Sequence, residues 1–411
     1  MIRRYARNTT FKSAVYLYGI MFFNMVAPLI TIPYLSRVLR PEGWGTLSFY
    51  LALALWLTIL GEFGFGLYSS SQIAPRRDDA KYLDLIAAKV LGARVVIYFF
   101  LFLFSCTSYL FLQSTMKPEL FGLAVALAVS QSMNPIWYFQ GMEDLGAVSL
   151  FDMFVKAASV LAVFLFVKSS NDVWIAMALQ VVAALVSSVF GYALMYSKRK
   201  IYFVGLKESL GYIRESRDAF MYKVFSNLYV SSNSFILGLV SSVSQVGFYS
   251  GAERLVKAAV GMTHPLTQVL YVKISSISSK PDQTRAIVSF GLRISLAYAL
   301  AGVFVVEATA SMIVNIIFGS GYESMVGVLR VLVLLLPLNV IVASLGVQLM
   351  MNRGYGSQFN SFLVQSGIIN FVLLLLLGRH YGAMGGAVCI VVAEAWMVIR
   401  LITFVKSRKL I

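Results

Sequence analysis

SKRKIYFVGLKESLGYIRESR, residues 197–217, is the longest polar interval in the middle of an otherwise apolar chain. Runs of about 20 apolar residues recur on both sides of it, each long enough to cross a hydrocarbon core of roughly 30 Å at about 1.5 Å per residue. Six precede the interval, near 13–36, 44–67, 86–112, 119–139, 146–167 and 173–196. Six follow, near 218–240, 246–272, 286–317, 325–350, 357–377 and 383–405. The chain has 411 residues, is 59% hydrophobic and only 13% charged, and its mean hydropathy is +0.79, outside the balance of a soluble domain. The expectation is an all-α integral membrane protein of about twelve transmembrane helices, divided into six-helix lobes over 1–200 and 201–411. An even number of spans per lobe gives both lobes the same orientation, as in transporters built from parallel repeats. GTLS at 45–48 and GFYS at 247–250 each open the second span of their half.

The N-terminal MIRRYARNTTFKSAVYLYGI places a basic segment before an apolar one, but no small-residue cleavage site follows and the apolar run continues to Ile32. The reading is an uncleaved first span. If the N-terminus is cytoplasmic, twenty Lys and Arg fall in loops on that side, among them Arg76, Arg77, Lys198, Arg199, Lys200 and Arg353, against five opposite: Arg37, Arg40, Lys117, Lys168 and Arg379. That asymmetry predicts cytoplasmic termini. It also accounts for most of the net charge of +16, so Lys198, Arg199 and Lys200 read as a topology signal rather than a nucleic-acid site.

Nine cations remain within spans: Lys89, Arg94, Lys156, Lys223, Arg254, Lys257, Arg293, Arg330 and Arg400. The acids placed similarly are Glu62, Asp152, Glu253, Glu307 and Glu394. Each charge costs about 2.5 to 3.5 kcal/mol at mid-span, which predicts a wet cavity or a partner rather than lipid. Asp152 with Lys156, and Glu253 with Lys257, have the acid-first spacing of an intrahelical ion pair. Lys89, Lys223 and Arg400 are placed to snorkel. Arg254 lies about 100° around its helix from Glu253 and has no acid three or four positions away; Arg293 likewise has none. An unpaired guanidinium in a membrane cavity suits a phosphate or pyrophosphate, because its planar fork makes bidentate bonds. Arg254, Lys257, Arg293 and Lys156 are therefore candidate binders of an anionic substrate, with Arg37 at the outer end of the first span. Glu62, Asp152, Glu253 and Glu307 are candidates for ion coupling.

Pro28 and Pro33 fall in the first span, Pro135 in the fourth, Pro265 in the eighth and Pro337 in the tenth. Each removes an intrahelical hydrogen bond and permits a kink, for gating or for static packing. Gly61, Gly64 and Gly66, and Gly382, Gly385 and Gly386, read as close helix contacts. No cofactor or metal motif is present: Cys106 and Cys389 lie far apart in apolar runs, His264 and His380 stand alone, and there is no P-loop. The short outer loops leave little room for a catalytic segment, so the reading is not an enzyme.

PYLSRVLRPEGWG (33–45), EFGFGLYSSSQIAPRRDD (62–79), PIWYFQGMED (135–144) and the segment 235–275, which contains GFYSGAERLVKA, resemble the Wzx-type flippases of O-antigen and related polysaccharide repeat units. These belong to the multidrug/oligosaccharidyl-lipid/polysaccharide exporter superfamily. The resemblance implies two six-helix lobes of a MATE-like fold facing across a central cavity in a bacterial inner membrane. It implies translocation of an undecaprenyl-pyrophosphate-linked oligosaccharide to the periplasmic leaflet, with a polysaccharide polymerase and chain-length machinery as neighbours. Related lipid II flippases carry an alanine-acid-arginine-leucine stretch at the start of the eighth helix that supplies a cavity arginine; Ala252, Glu253, Arg254 and Leu255 match it. The family's usual LGPEG turn is LRPEG here, with Arg40 in place of glycine. Rival readings are a cation-coupled multidrug antiporter, which wants unpaired acids, a membrane glycosyltransferase or polymerase, and a non-transporting scaffold.

Overall fold

The computed structural model describes residues 2–112, 116–200, 202–276, 281–408 and 410. Within these, side chains are described except over 2–29 and at 226, 228–231, 264–265, 272–273, 275–276, 281–282 and 284. Every regular element among the described residues is a helix, and all twelve expected spans lie on helices. Eight helical stretches are long and apolar enough to cross a membrane: Ile30–Arg76, Ala80–Phe111, Pro118–Met142, Gly146–Phe166, Val173–Tyr196, Arg285–Phe318, Met325–Arg353 and Gly356–Ser407. The first and last of these each turn a corner, and so hold more than one rod. The expected seventh and eighth spans are not among the eight; each is broken, into Arg217–Ser231 and Asn233–Val240, and into Val243–Gly261 and His264–Ser276. The Val243–Gly261 helix also carries Glu253, Arg254 and Lys257.

The chain forms two compact units, Met1–Leu39 with Tyr50–Val224, and Arg40–Phe49 with Phe225–Ile411. The polar interval 197–217 lies within the first. It is not a plain linker, because Leu206–Glu215 is an amphipathic helix whose Tyr212 is buried in the first unit's core with Phe65, Trp137 and Phe139. There the Tyr212 hydroxyl shares a 2.8 Å hydrogen bond with the Ser69 hydroxyl.

The breaks have identifiable causes. At Glu62 the chain turns through Phe63 and Gly64, both in the left-handed region (φ 47° and 73°). The Glu62 carboxylate accepts the backbone N–H groups of Gly64, at 3.2 Å, and Gly66, so it caps the Phe65–Ile73 helix, whose exposed N–H groups favour an anion. A side chain at Gly64 would come within 2.5 Å of the Phe220 backbone nitrogen. Between the last two spans the corner is Gly382, with φ 54°.

In the first unit, the Pro118–Met133 helix ends at Asn134–Pro135, and its terminal carbonyls are claimed by Arg94. This buried guanidinium donates to Met133 O at 2.7 Å, Tyr192 Oη at 2.5 Å and Asn134 O at 3.4 Å. The negative end of the helix dipole thus offsets a cation that makes no ion pair among the described residues. Arg94→Lys keeps the charge but loses the fork, and should lower stability by about 2 kcal/mol, read as a lower unfolding temperature in detergent.

At the other sharp corner, residues 2–39 and 41–62 form separate rods because Arg40 adopts φ 61°, ψ 174°. That region of backbone space is essentially reserved for glycine and costs another residue roughly 1 to 3 kcal/mol. It is the position where the resembled turn carries glycine. Arg40→Gly is expected to raise stability by about 1 kcal/mol in a thermal melt, and a lower melting temperature would show that the Arg40 side chain repays the strain.

Two loop carboxylates outside the spans are tied down locally. Glu143 is held below its usual range by the hydrogen bond from Arg77, and Asp172 by the backbone N–H groups of Lys168 and Ser169.

Candidate functional site

The second unit's site is built on a glycine contact. Gly45 and Gly247, which open the GTLS and GFYS echoes, pack against each other so closely that a Cβ on Gly247 would lie 3.1 Å from the Gly45 nitrogen. Two turns beyond Gly247, on the same face of the helix, comes Arg254. Its guanidinium sits over the ring of Trp44, 4.6 Å from the centroid, and Trp44 is fully buried. The ring takes one face of the guanidinium and leaves its N–H edges, which make no hydrogen bond or ion pair among the described residues.

A second face of the same helix, about 100° away, carries Tyr249, Glu253 and Lys257 at successive i+4 steps. The Lys257 ammonium lies 3.1 Å from Glu253 Oε1, so the expected ion pair is present, with Glu253 largely buried and Lys257 half-exposed. The Tyr249 hydroxyl donates to the same oxygen at 3.4 Å and accepts from Asn233 Nδ2 at 2.7 Å. Asn370 Nδ2 in turn donates to Asn233 Oδ1 at 2.6 Å. Asn370, Asn233 and Tyr249 are buried, and every donor in this chain points toward Glu253. Glu253 is therefore already engaged from two sides, and Arg254 makes no hydrogen bond or ion pair with it.

The remaining candidates are dispersed. In the second unit Arg293 is exposed on the Pro281–Phe318 helix, and Glu307 lies 3.6 Å from Arg330 Nε. In the first unit Lys156 and Asp152 pair at 2.8 Å, Glu62 pairs with Lys223, and Arg37 is exposed near the end of its helix. Glu394 is buried in the last span with Oε2 unpartnered among the described residues. Pro33 lies inside the continuous rod 2–39, Pro135 at the break before Ile136–Met142, and Pro337 just after the turn at Val333–Leu334, ahead of a π-helical stretch at Val342–Met350. The side chains of Pro28 and Pro265 lie outside the described residues; the backbone places Pro265 in the first turn of His264–Ser276, where proline is tolerated.

Trp44, Tyr249, Asn233 and Asn370 were not singled out by sequence reasoning. Tyr249 had a signal, one turn before Glu253, but the asparagines come from separate helices.

The family model for polysaccharide biosynthesis proteins matches residues 10–278 of this sequence. The chain belongs to that family. Two relatives, each named "Putative O-antigen transporter", run nearly end to end with this polysaccharide biosynthesis protein. That of Escherichia coli (strain K12) is 27% identical over 408 residues, 97% of each chain. That of Shigella dysenteriae is 21% identical over 402 residues, 96% of this chain and 100% of the relative. The fold is shared with the lipid II flippase MurJ in an inward closed conformation, with a TM-score of 0.70 at 13% identity, covering 96% of this chain and 87% of that one. An inward-facing MATE-family multidrug transporter matches with a TM-score of 0.62 at 16% identity, covering 93% and 98%.

Proposed function

We propose that this polysaccharide biosynthesis protein is a flippase. It moves undecaprenyl-pyrophosphate-linked oligosaccharide repeat units, of O-antigen or a similar glycan, from the cytoplasmic to the periplasmic leaflet of a bacterial inner membrane, with both termini cytoplasmic. The observation that carries the proposal is Arg254, a guanidinium seated on Trp44 with its hydrogen-bonding edges uncommitted while the neighbouring carboxylate is held by Lys257 and Tyr249. Such a group gains two charge-assisted bonds when a pyrophosphate arrives. Alternating access to a cationic cavity then carries the headgroup across, while the polyprenyl tail stays in apolar surroundings. An inside-negative potential favours outward movement of negative charge by about 2.3 kcal/mol per charge per 100 mV, so an ion gradient is not required. Polymerase and chain-length machinery would take the delivered unit.

The multidrug antiporter reading needs an uncommitted acid for an organic cation. Glu62, Asp152, Glu253 and Glu307 each have a basic partner, in Lys223, Lys156, Lys257 and Arg330, and Glu394, which has none among the described residues, is buried within the last span. That pattern supports anionic cargo. Leaflet-resolved transfer of a fluorescent lipid-linked sugar in proteoliposomes tests the proposal: transfer dependent on the protein is expected, and drug efflux without such transfer would replace it with the antiporter reading.

A further inference from the structure

The first unit contains an apolar cleft of about 310 Å³, walled by Phe63, by Val96, Phe100 and Phe104 of the Ala80–Leu112 helix, and by Leu210 and Ile213 of the amphipathic helix Leu206–Glu215. All its lining side chains are apolar. Val96, Phe100 and Phe104 stand at i+4 steps, a wall about 12 Å long, and Phe100 and Phe104 are more than half exposed, so the cleft opens sideways. The amphipathic helix packs closely on Gly92, where a Cβ would lie 2.4 Å from the Ser209 side-chain oxygen.

Helical spacing sets a cation beyond one end of the cleft. Lys89 lies seven residues before Val96 and eleven before Phe100, on the same face of the helix and about 10 Å nearer its start. It makes no ion pair among the described residues. Lys207 is exposed in the first turn of the amphipathic helix, with Glu208 beside it, so Lys89 supplies most of the positive character.

We infer that this cleft seats the proximal polyprenyl tail of the lipid-linked substrate, with the pyrophosphate held toward Lys89 before transfer. The inference rests on the flippase reading and adds to it a loading site separate from the Arg254 cluster. A wholly apolar body with a cation toward one end complements a hydrocarbon tail joined to a multiply charged headgroup, and a pyrophosphate attracts that cation more strongly than the single charge of a bilayer phospholipid.

The test uses the full-length protein in nanodiscs of phosphatidylethanolamine and phosphatidylglycerol, with a polyprenyl pyrophosphate bearing a benzophenone on its tail. Crosslinks are expected within 96–104 and 210–213. Excess unlabelled undecaprenyl pyrophosphate should cut them about tenfold, while equal excess phosphatidylglycerol should not. Val96→Trp, which fills the cleft, should cut them by a similar factor with an unchanged unfolding temperature, and Lys89→Gln should weaken the competition. Crosslinks confined elsewhere, or equal competition by phosphatidylglycerol, would overturn the inference. Leaflet transfer by protein that does not crosslink in the cleft removes the loading site and leaves the flippase; crosslinking as expected without leaflet transfer does the reverse.

Discussion

Arg254→Ala is expected to reduce leaflet transfer of a lipid-linked sugar by about 100-fold, at unchanged membrane abundance and unfolding temperature. Removing one partner of a desolvated charge pair costs roughly 2 to 5 kcal/mol, and 100-fold corresponds to about 2.7 kcal/mol. The folded protein should tolerate the change, because Arg254 makes no hydrogen bond or ion pair among the described residues and its stack on Trp44 is worth about 0.5 to 2 kcal/mol. Arg254→Lys should recover little, since a lysine keeps the charge but neither the fork nor the flat face. Lys257→Gln should act differently. It leaves Glu253 without its cation and so perturbs the Tyr249–Asn233–Asn370 chain as well as any anion contact. Full transfer by Arg254→Ala would remove this residue from the substrate path and with it the main support for anionic cargo.

Gly45→Ala should be the most damaging small substitution to the fold of the second unit. Its Cβ would lie 1.7 Å from the Val243 carbonyl oxygen, and the obstacle is backbone, which no rotamer change relieves. Gly247→Ala meets the Pro41 carbonyl oxygen at 2.7 Å across the same contact. A forced separation here costs about 3 kcal/mol or more and pulls Trp44 away from Arg254, so folded yield and transport should fall together. Gly211→Ala is the control. Nothing lies within 4 Å of its Cβ, and it sits inside the Leu206–Glu215 helix, where alanine gains up to about 1 kcal/mol. If Gly45→Ala melts at the wild-type temperature while Gly211→Ala behaves as expected, the glycine contact is not what joins residues 40–49 to the Val243–Gly261 helix.

Much of the site's local logic was legible in the sequence because it is helical spacing. Asp152–Lys156 and Glu253–Lys257 are i+4 pairs, and an α-helix brings such residues together whatever surrounds it. The separation of Arg254 from Glu253 by one residue likewise puts them on different faces in any helix. The partners of Glu62 and Glu307 were not legible, since Lys223 and Arg330 lie on other helices and pairing there depends on packing. Arg94 shows the same limit from the other side. It read as a bare intramembrane cation, and its partners are Tyr192, on another helix, and the carbonyls of a broken helix end, which carry no side-chain signature.

By itself the sequence determined the all-helical membrane class, the positions of the spans and the intrahelical ion pairs, because hydropathy and the 3.6-residue period act over short distances. It also held the GTLS and GFYS echoes without their meaning. Only the tertiary structure decided that the two glycines meet, that residues 40–49 therefore pack with the second unit, that Trp44 covers Arg254, and that Asn370 and Asn233 reach Glu253 through Tyr249. These contacts join residues up to hundreds of positions apart, and they form only where backbones approach closely enough for short side chains to touch.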